Sequence, residues 1–101
     1  MTHHGIEFPQ RAITQFCRRH GVARLALFGS ILRDDFRPDS DVDVLVEFLP
    51  GRVPGLLGMA AMERELSELV GRKVDMRTAA ELSRYFRADV VHGSEVQYAG
   101  G

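Results

Sequence analysis

The sequence predicts an α/β (α+β) fold, a small mixed β-sheet with flanking helices. Three observations carry this. Segments with a helical apolar period alternate along the chain with short strand-like runs, so helices and strands must pack as layers. The chain has 101 residues, the size of one small domain. Only residues 29–40 separate the first two strand segments, too few for the crossover a parallel pair needs, so the sheet cannot be parallel throughout.

The first periodic segment is Pro9 to His20. Ile13, Phe16 and Cys17 fall at i, i+3, i+4, Pro9 suits the first turn, and Gly21 suits the position after the end. Val22 to Phe28 reads as a buried strand ended by Gly29-Ser30. Ser30 to Phe36 reads as a short helix with Ser30 as its N-cap. Arg37-Pro38-Asp39-Ser40 reads as a turn. Asp41 to Phe48 is the clearest strand, because Val42, Val44, Val46 and Phe48 alternate with Asp41, Asp43, Leu45 and Glu47.

After a Pro/Gly-bracketed loop, Leu56 to Val70 forms a helix with Met59, Met62, Leu66, Leu69 and Val70 on one face, closed by Gly71. Lys73 to Arg77 is a short strand. Thr78 and Glu81 form a capping box opening a helix to about Val91, with Leu82, Tyr85, Phe86 and Val90 as its apolar face. The tail, residues 94–101, is ambiguous. Residues 1–101 read as one domain, with its motifs between residues 28 and 77.

Composition narrows the function classes. A 45% hydrophobic, 27% charged chain has the makings of a core. Thirteen Lys and Arg against fourteen Asp and Glu argue against a protein that grips nucleic acid by neutralising phosphates. One cysteine, Cys17, excludes an internal disulfide framework, and its place on the apolar stripe suits packing. The longest uncharged stretch, Val53 to Met62, is too short to span a bilayer, and the first residues lack a signal-peptide apolar core. The expected location is the cytoplasm. His3 and His4 read as a disordered end rather than a metal site. Arg18, Arg19 and His20 complement a helix C-terminus.

The chemistry concentrates in Gly29-Ser30 and Asp41-Val42-Asp43. Residues i and i+2 of a strand share a face, so Asp41 and Asp43 project side by side. Their mutual repulsion is relieved by a cation, and hard oxygen donors suit Mg²⁺. Such a pair can share two ions that clamp the attacking and leaving oxygens of a phosphoryl transfer. A glycine at a strand end lets a phosphate approach the backbone, the following helix N-terminus would add N–H donors, and Arg33 would add a cation. Asp75, mid-strand, is placed to complete a metal site or to accept a proton from an attacking hydroxyl. Chance alone would give this Gly-Ser, ten-residue spacer, Asp-x-Asp pattern roughly 0.002 times in a chain of this composition, so an ordinary turn beside a solvated strand end is a poor explanation of the set.

The run FGSILRDDFRPDSDVDVLVEF, Phe28 to Phe48, with Asp75 in GRKVDMRT, resembles the nucleotidyltransferase superfamily related to DNA polymerase beta, and within it the minimal nucleotidyltransferase (MNT) branch. The resemblance implies a mixed-sheet nucleotidyltransferase core without a separate substrate domain. It implies Mg²⁺ on Asp41, Asp43 and Asp75, ATP phosphates on Gly29 and Ser30, and an antitoxin role beside a HEPN-domain ribonuclease toxin that receives AMP on a tyrosine. The chain departs from the family at Leu32-Arg33-Asp34, where members often have a small residue and then Arg-Gly. Two other functions fit the same residues: neutralisation of a partner by contact alone, and nucleotidyl transfer to a small molecule. A chain this short leaves little to enclose an acceptor, so a second chain should supply that surface in a hetero-oligomer.

Overall fold

The computed structural model of the protein describes residues 2–100. A short antiparallel hairpin opens it, β1 (Thr2–His3) against β2 (Ile6–Glu7). His4 and Gly5 at its tip both have positive φ, 51° and 78°, as a two-residue type I′ turn demands. The expectation of a disordered histidine pair is therefore corrected. His3 Nε2 lies 2.9 Å from Glu95 Oε1, and the His4 ring stacks on Phe36 with centroids 4.9 Å apart.

Helix α1 (Gln10–His20) buries the predicted stripe of Ile13, Phe16 and Cys17. Burial pushes the Cys17 thiol up to about 12, so it packs as a small apolar group rather than acting as a nucleophile. Strand β3 (Val22–Phe28) follows, then β4 (Val42–Phe48), helix α2 (Leu56–Val70), strand β5 (Val74–Arg77), helix α3 (Arg87–Gly93) and strand β6 (Glu95–Ala99). The four long strands form one sheet in the order β5-β4-β3-β6. β3 runs antiparallel to both β4 and β6, whereas β4 and β5 are parallel, joined by the crossover helix α2. The predicted mixed sheet is what forms.

The two sheet faces divide the molecule. Leu25, Leu27, Val42, Val44, Val46, Val74 and Met76 point into the core against Ile13 and Phe16 of α1 and Met62, Leu66 and Val70 of α2. Truncating one fully buried member, such as Leu66→Ala, would cost about 2–5 kcal/mol, a large part of a small domain's stability. Helix α2 also protects the β5 edge. The Val74 N–H donates to Ser67 Oγ at 2.9 Å and the Met76 N–H to Glu63 Oε2 at 2.8 Å, which occupies outward donors that would otherwise invite another strand. The opposite face carries the alternate residues, among them Ala26, Asp43, Leu45 and Asp75.

Three expectations about local structure are corrected. Residues 30–36 do not form a helix. Gly29–Leu32 make a single 3₁₀ turn, and the Arg33 N–H donates to Ser30 O at 2.9 Å. Within that stretch only Ile31 is fully buried, too little apolar surface to repay helix nucleation. The helix expected from Thr78 to Val91 is broken. The capping box does form, with the Thr78 N–H and Oγ1 both 3.1 Å from Glu81 Oε1, but it closes only the 3₁₀ turn Ala79–Glu81. Ser83 Oγ then accepts the Tyr85 N–H at 3.3 Å, and Arg87 Nη2 donates to Leu82 O at 3.0 Å. These side chains satisfy backbone groups that a helix would have paired. Tyr85 and Phe86, expected in the core, are 83% and 50% exposed. The ambiguous tail is the edge strand β6, its Gln97 carbonyl accepting from the Gln10 side chain.

Candidate active site

Register brings the carboxylates together. Phe28 pairs with Asp43 across the antiparallel β3–β4 ladder, and Asp43 pairs with Asp75 across the parallel β4–β5 ladder. Neighbouring strands lie about 4.8 Å apart, so Asp43 stands beside Asp75 on the open face of the sheet. Asp41 immediately precedes β4. Its position is fixed by the turn before it, where the Ser40 N–H donates to Arg37 O and the Arg37 N–H to Ser40 Oγ, both at 3.0 Å. On its other side the Val42 N–H donates to Lys73 O at 2.9 Å.

The electrostatics follow from this crowding. Burial, then the charges of Asp75 and Asp41, push the Asp43 carboxyl above its ordinary value, with Arg77 and Arg33 opposing them. Each flanking carboxylate has its own cation. Arg77 forks onto Asp75, Nε to Oδ1 and Nη2 to Oδ2, each 3.2 Å. Lys73 Nζ lies 3.9 Å from Asp41 Oδ2. Among the described residues no three His, Cys, Asp or Glu side chains are gathered closely enough, as they stand, to hold a metal ion. The donor chemistry nonetheless suits a hard divalent cation: Asp43 and Asp75 pair across β4–β5, Asp41 stands just before β4, and burial, then the charges of Asp75 and Asp41, raises Asp43.

Gly29 sits against the same carboxylate. Its φ of 75° is left-handed, and a Cβ built there would lie 2.3 Å from Asp43 Oδ2. Ser30 is half-buried in the 3₁₀ turn that follows. Because that turn is not a helix, no helix dipole stands behind Gly29-Ser30, contrary to the sequence expectation. Arg33 is exposed, with Nε 3.1 Å from Asp35 Oδ1, and its charge reaches Asp43. All six candidate residues therefore lie on or beside one end of the open sheet face.

Comparison with known proteins gives the family of the chain. The family profile described as the nucleotidyltransferase domain matches residues 10–96. The chain belongs to that family. This nucleotidyltransferase is 39% identical over 69 residues to a Methanocaldococcus jannaschii protein named as a candidate protein adenylyltransferase, a match covering 68% of this chain and 72% of that one. It is also similar to a solved structure described as a candidate minimal nucleotidyltransferase, with a TM-score of 0.68 and 37% identity, covering 86% and 85% of the two chains. A chain of the solved complex described as a tri-AMPylated Shewanella oneidensis HEPN toxin with MNT antitoxin shares the fold of this chain at a TM-score of 0.63 and 17% identity, covering 89% of this chain and 69% of that one. Among the described residues no helix is long and apolar enough to cross a membrane.

The candidate site includes residues that local sequence pattern does not single out. Arg77 was legible in principle, since i and i+2 share a strand face with Asp75. Arg72 was not. Its Nη2 donates to Arg37 O at 3.0 Å and Ser40 O at 2.7 Å, and its guanidinium lies 4.9 Å from the Phe36 ring centroid. The guanidinium thus ties the start of β5 to the turn that delivers Asp41. A groove of about 550 Å³ also runs along the open face, lined by Ala26, Leu45, Phe48, Val53, Ala79 and Val91 among others. None of the six candidate residues lines this groove; Leu45, two residues after Asp43 on β4, is the lining residue nearest to them in sequence.

Proposed function

We propose that this nucleotidyltransferase transfers AMP from ATP to a hydroxyl, a tyrosine of a partner HEPN-domain toxin, and acts in the cytoplasm as the antitoxin of that pair. The single observation that carries the reading is the meeting of Gly29, Asp43 and Asp75 at one point of the sheet. The name of the Methanocaldococcus jannaschii relative and the fold shared with a chain of a HEPN toxin–MNT antitoxin complex support the same direction.

In this reading Asp41, Asp43 and Asp75 would hold Mg²⁺, expected as two ions, which would supply positive charge for the triphosphate and for the departing pyrophosphate. Gly29 leaves room for a phosphate beside the backbone, Ser30 offers a hydroxyl donor, and Arg33 offers a cation from the exposed side. Asp75 accepts the proton of the acceptor hydroxyl. The oxygen so freed forms a bond to the α-phosphorus, the bond from that phosphorus to the bridging oxygen breaks, and pyrophosphate leaves with the electron pair. The acceptor comes from a second chain, because the open face and its groove do not enclose one.

The test pairs this chain with a HEPN-domain protein, the partner class that the reading names. Co-expression with wild type should yield a partner carrying added AMP by intact mass and lacking ribonuclease activity. The Asp41→Asn/Asp43→Asn variant should lose both effects. A double variant that still silences the partner, without added AMP, would establish neutralisation by contact instead.

A further inference from the structure

Arg77 is the side chain on the open face whose role the reading above leaves unassigned. It lies two residues from Asp75 on the edge strand β5, so strand alternation places both on one face. Its fork engages both Asp75 oxygens, at 3.2 Å and 3.2 Å. Arg77 is itself about half exposed, so it is not locked in place by packing. The contrast with Lys73 is informative. That ammonium makes one long approach of 3.9 Å to Asp41 and is 78% exposed. Of the two flanking carboxylates, Asp75 alone is held at two points.

We propose that Arg77 is an internal competitor for the third carboxylate: its guanidinium and a divalent cation contend for the same Asp75 oxygens, and Arg77 must release Asp75 before the three-carboxylate set can close. This rests on the reading of Asp41, Asp43 and Asp75 as metal ligands. Chemistry supports the competition. A guanidinium matches a carboxylate in a planar two-point fork, whereas a metal–oxygen bond requires one of those lone pairs to turn toward the ion. The exposed pair is weak enough to exchange, so Arg77 tunes metal affinity rather than blocking it. Arg77 also remains tethered beside the site after release, since only Met76 separates it from Asp75.

The direct experiment measures Mn²⁺ binding by electron paramagnetic resonance, without nucleotide or partner, in wild type, Arg77→Ala, Arg77→Lys, Asp75→Asn and Asp75→Asn/Arg77→Ala. The expected result is tightening of Mn²⁺ by about two- to five-fold in Arg77→Ala, the range a surface ion pair supports. Arg77→Lys keeps the charge but loses the fork, and it too should tighten. In the Asp75→Asn background, removing Arg77 should have no further effect. Equal tightening in both backgrounds would mark a general charge effect and overturn the proposal. Wild-type binding that neither Arg77 variant improves would overturn it while leaving the metal site standing. No Mn²⁺ binding to wild type or any variant would overturn the metal reading and this proposal together.

Discussion

The Gly29 Cα faces the Asp43 carboxylate so closely that a methyl group in its place would lie 2.3 Å from Oδ2. Two independent demands thus fall on one residue, the left-handed φ of 75° and the contact with the central carboxylate. A Gly29→Ala variant should lose about 1–2 kcal/mol from backbone strain and about 1–3 kcal/mol from overpacking. Pairing it with Asp43→Ala should recover the overpacking share but not the backbone share. Denaturant unfolding of the two single variants and the double variant checks this. Strictly additive losses would contradict the contact.

Asp43 should trade stability for function. Its folded-state pKa is raised by burial, then by Asp75 and Asp41, so the folded chain binds this proton more tightly than the unfolded chain does. As pH rises from the ordinary carboxylate value through the raised one, ionisation of Asp43 therefore removes stability. Asp43→Asn should raise the melting temperature at neutral pH, and its advantage over wild type should shrink as pH falls below that window. A variant less stable than wild type at neutral pH would show that the crowding is not destabilising.

Glu65 is the opposite case. Burial alone would raise its carboxyl, but hydrogen bonds from Arg19 and His20 outweigh burial and lower it. These contacts tie α1 to α2, the two helices on the core face of the sheet. The stabilisation is present above the ordinary glutamate pKa and disappears as pH falls through the lowered value. Glu65→Gln should cost less than about 1 kcal/mol at neutral pH, as expected of partly exposed ion pairs. Melting curves of wild type and variant should converge in acid. A deficit that persists at low pH would assign the loss to packing rather than charge.

Arg72 predicts a local effect. It holds two carbonyls of the turn before Asp41 and covers Phe36. Arg72→Ala should cost about 1–3 kcal/mol, the range for hydrogen bonds from a charged donor. Its mark should be faster hydrogen exchange at the Ser40 and Val42 amides, with little change in β3. Uniform acceleration across the sheet would indicate global destabilisation instead.

These residues also show what the sequence could reveal. The α1 stripe, the alternation of β4 and the face of α2 are periodic signals, and they placed the core residues of these elements and put Asp43 on β4, whereas Asp41, expected to open that strand, stands just before it. Asp75 was placed by its position in a strand, and register then set it beside Asp43. The Tyr85 region failed because it has helical spacing with no surface to bury against, while Ser83 and Arg87 satisfy its backbone in another conformation. The segment after Ser30 failed because its charged residues turn outward. Arg72 has no local signature at all: it acts on carbonyls more than thirty residues away, and only the folded chain brings them together.

The most direct test of the account is transfer of label from ATP labelled at the α-phosphate to a HEPN-domain partner protein. Wild type should transfer label to the partner in a divalent-metal-dependent reaction. The Asp41→Asn/Asp43→Asn variant, folded and at least as stable at neutral pH, should transfer none. Undiminished labelling by that double variant would contradict the assignment of this sheet face as the catalytic centre.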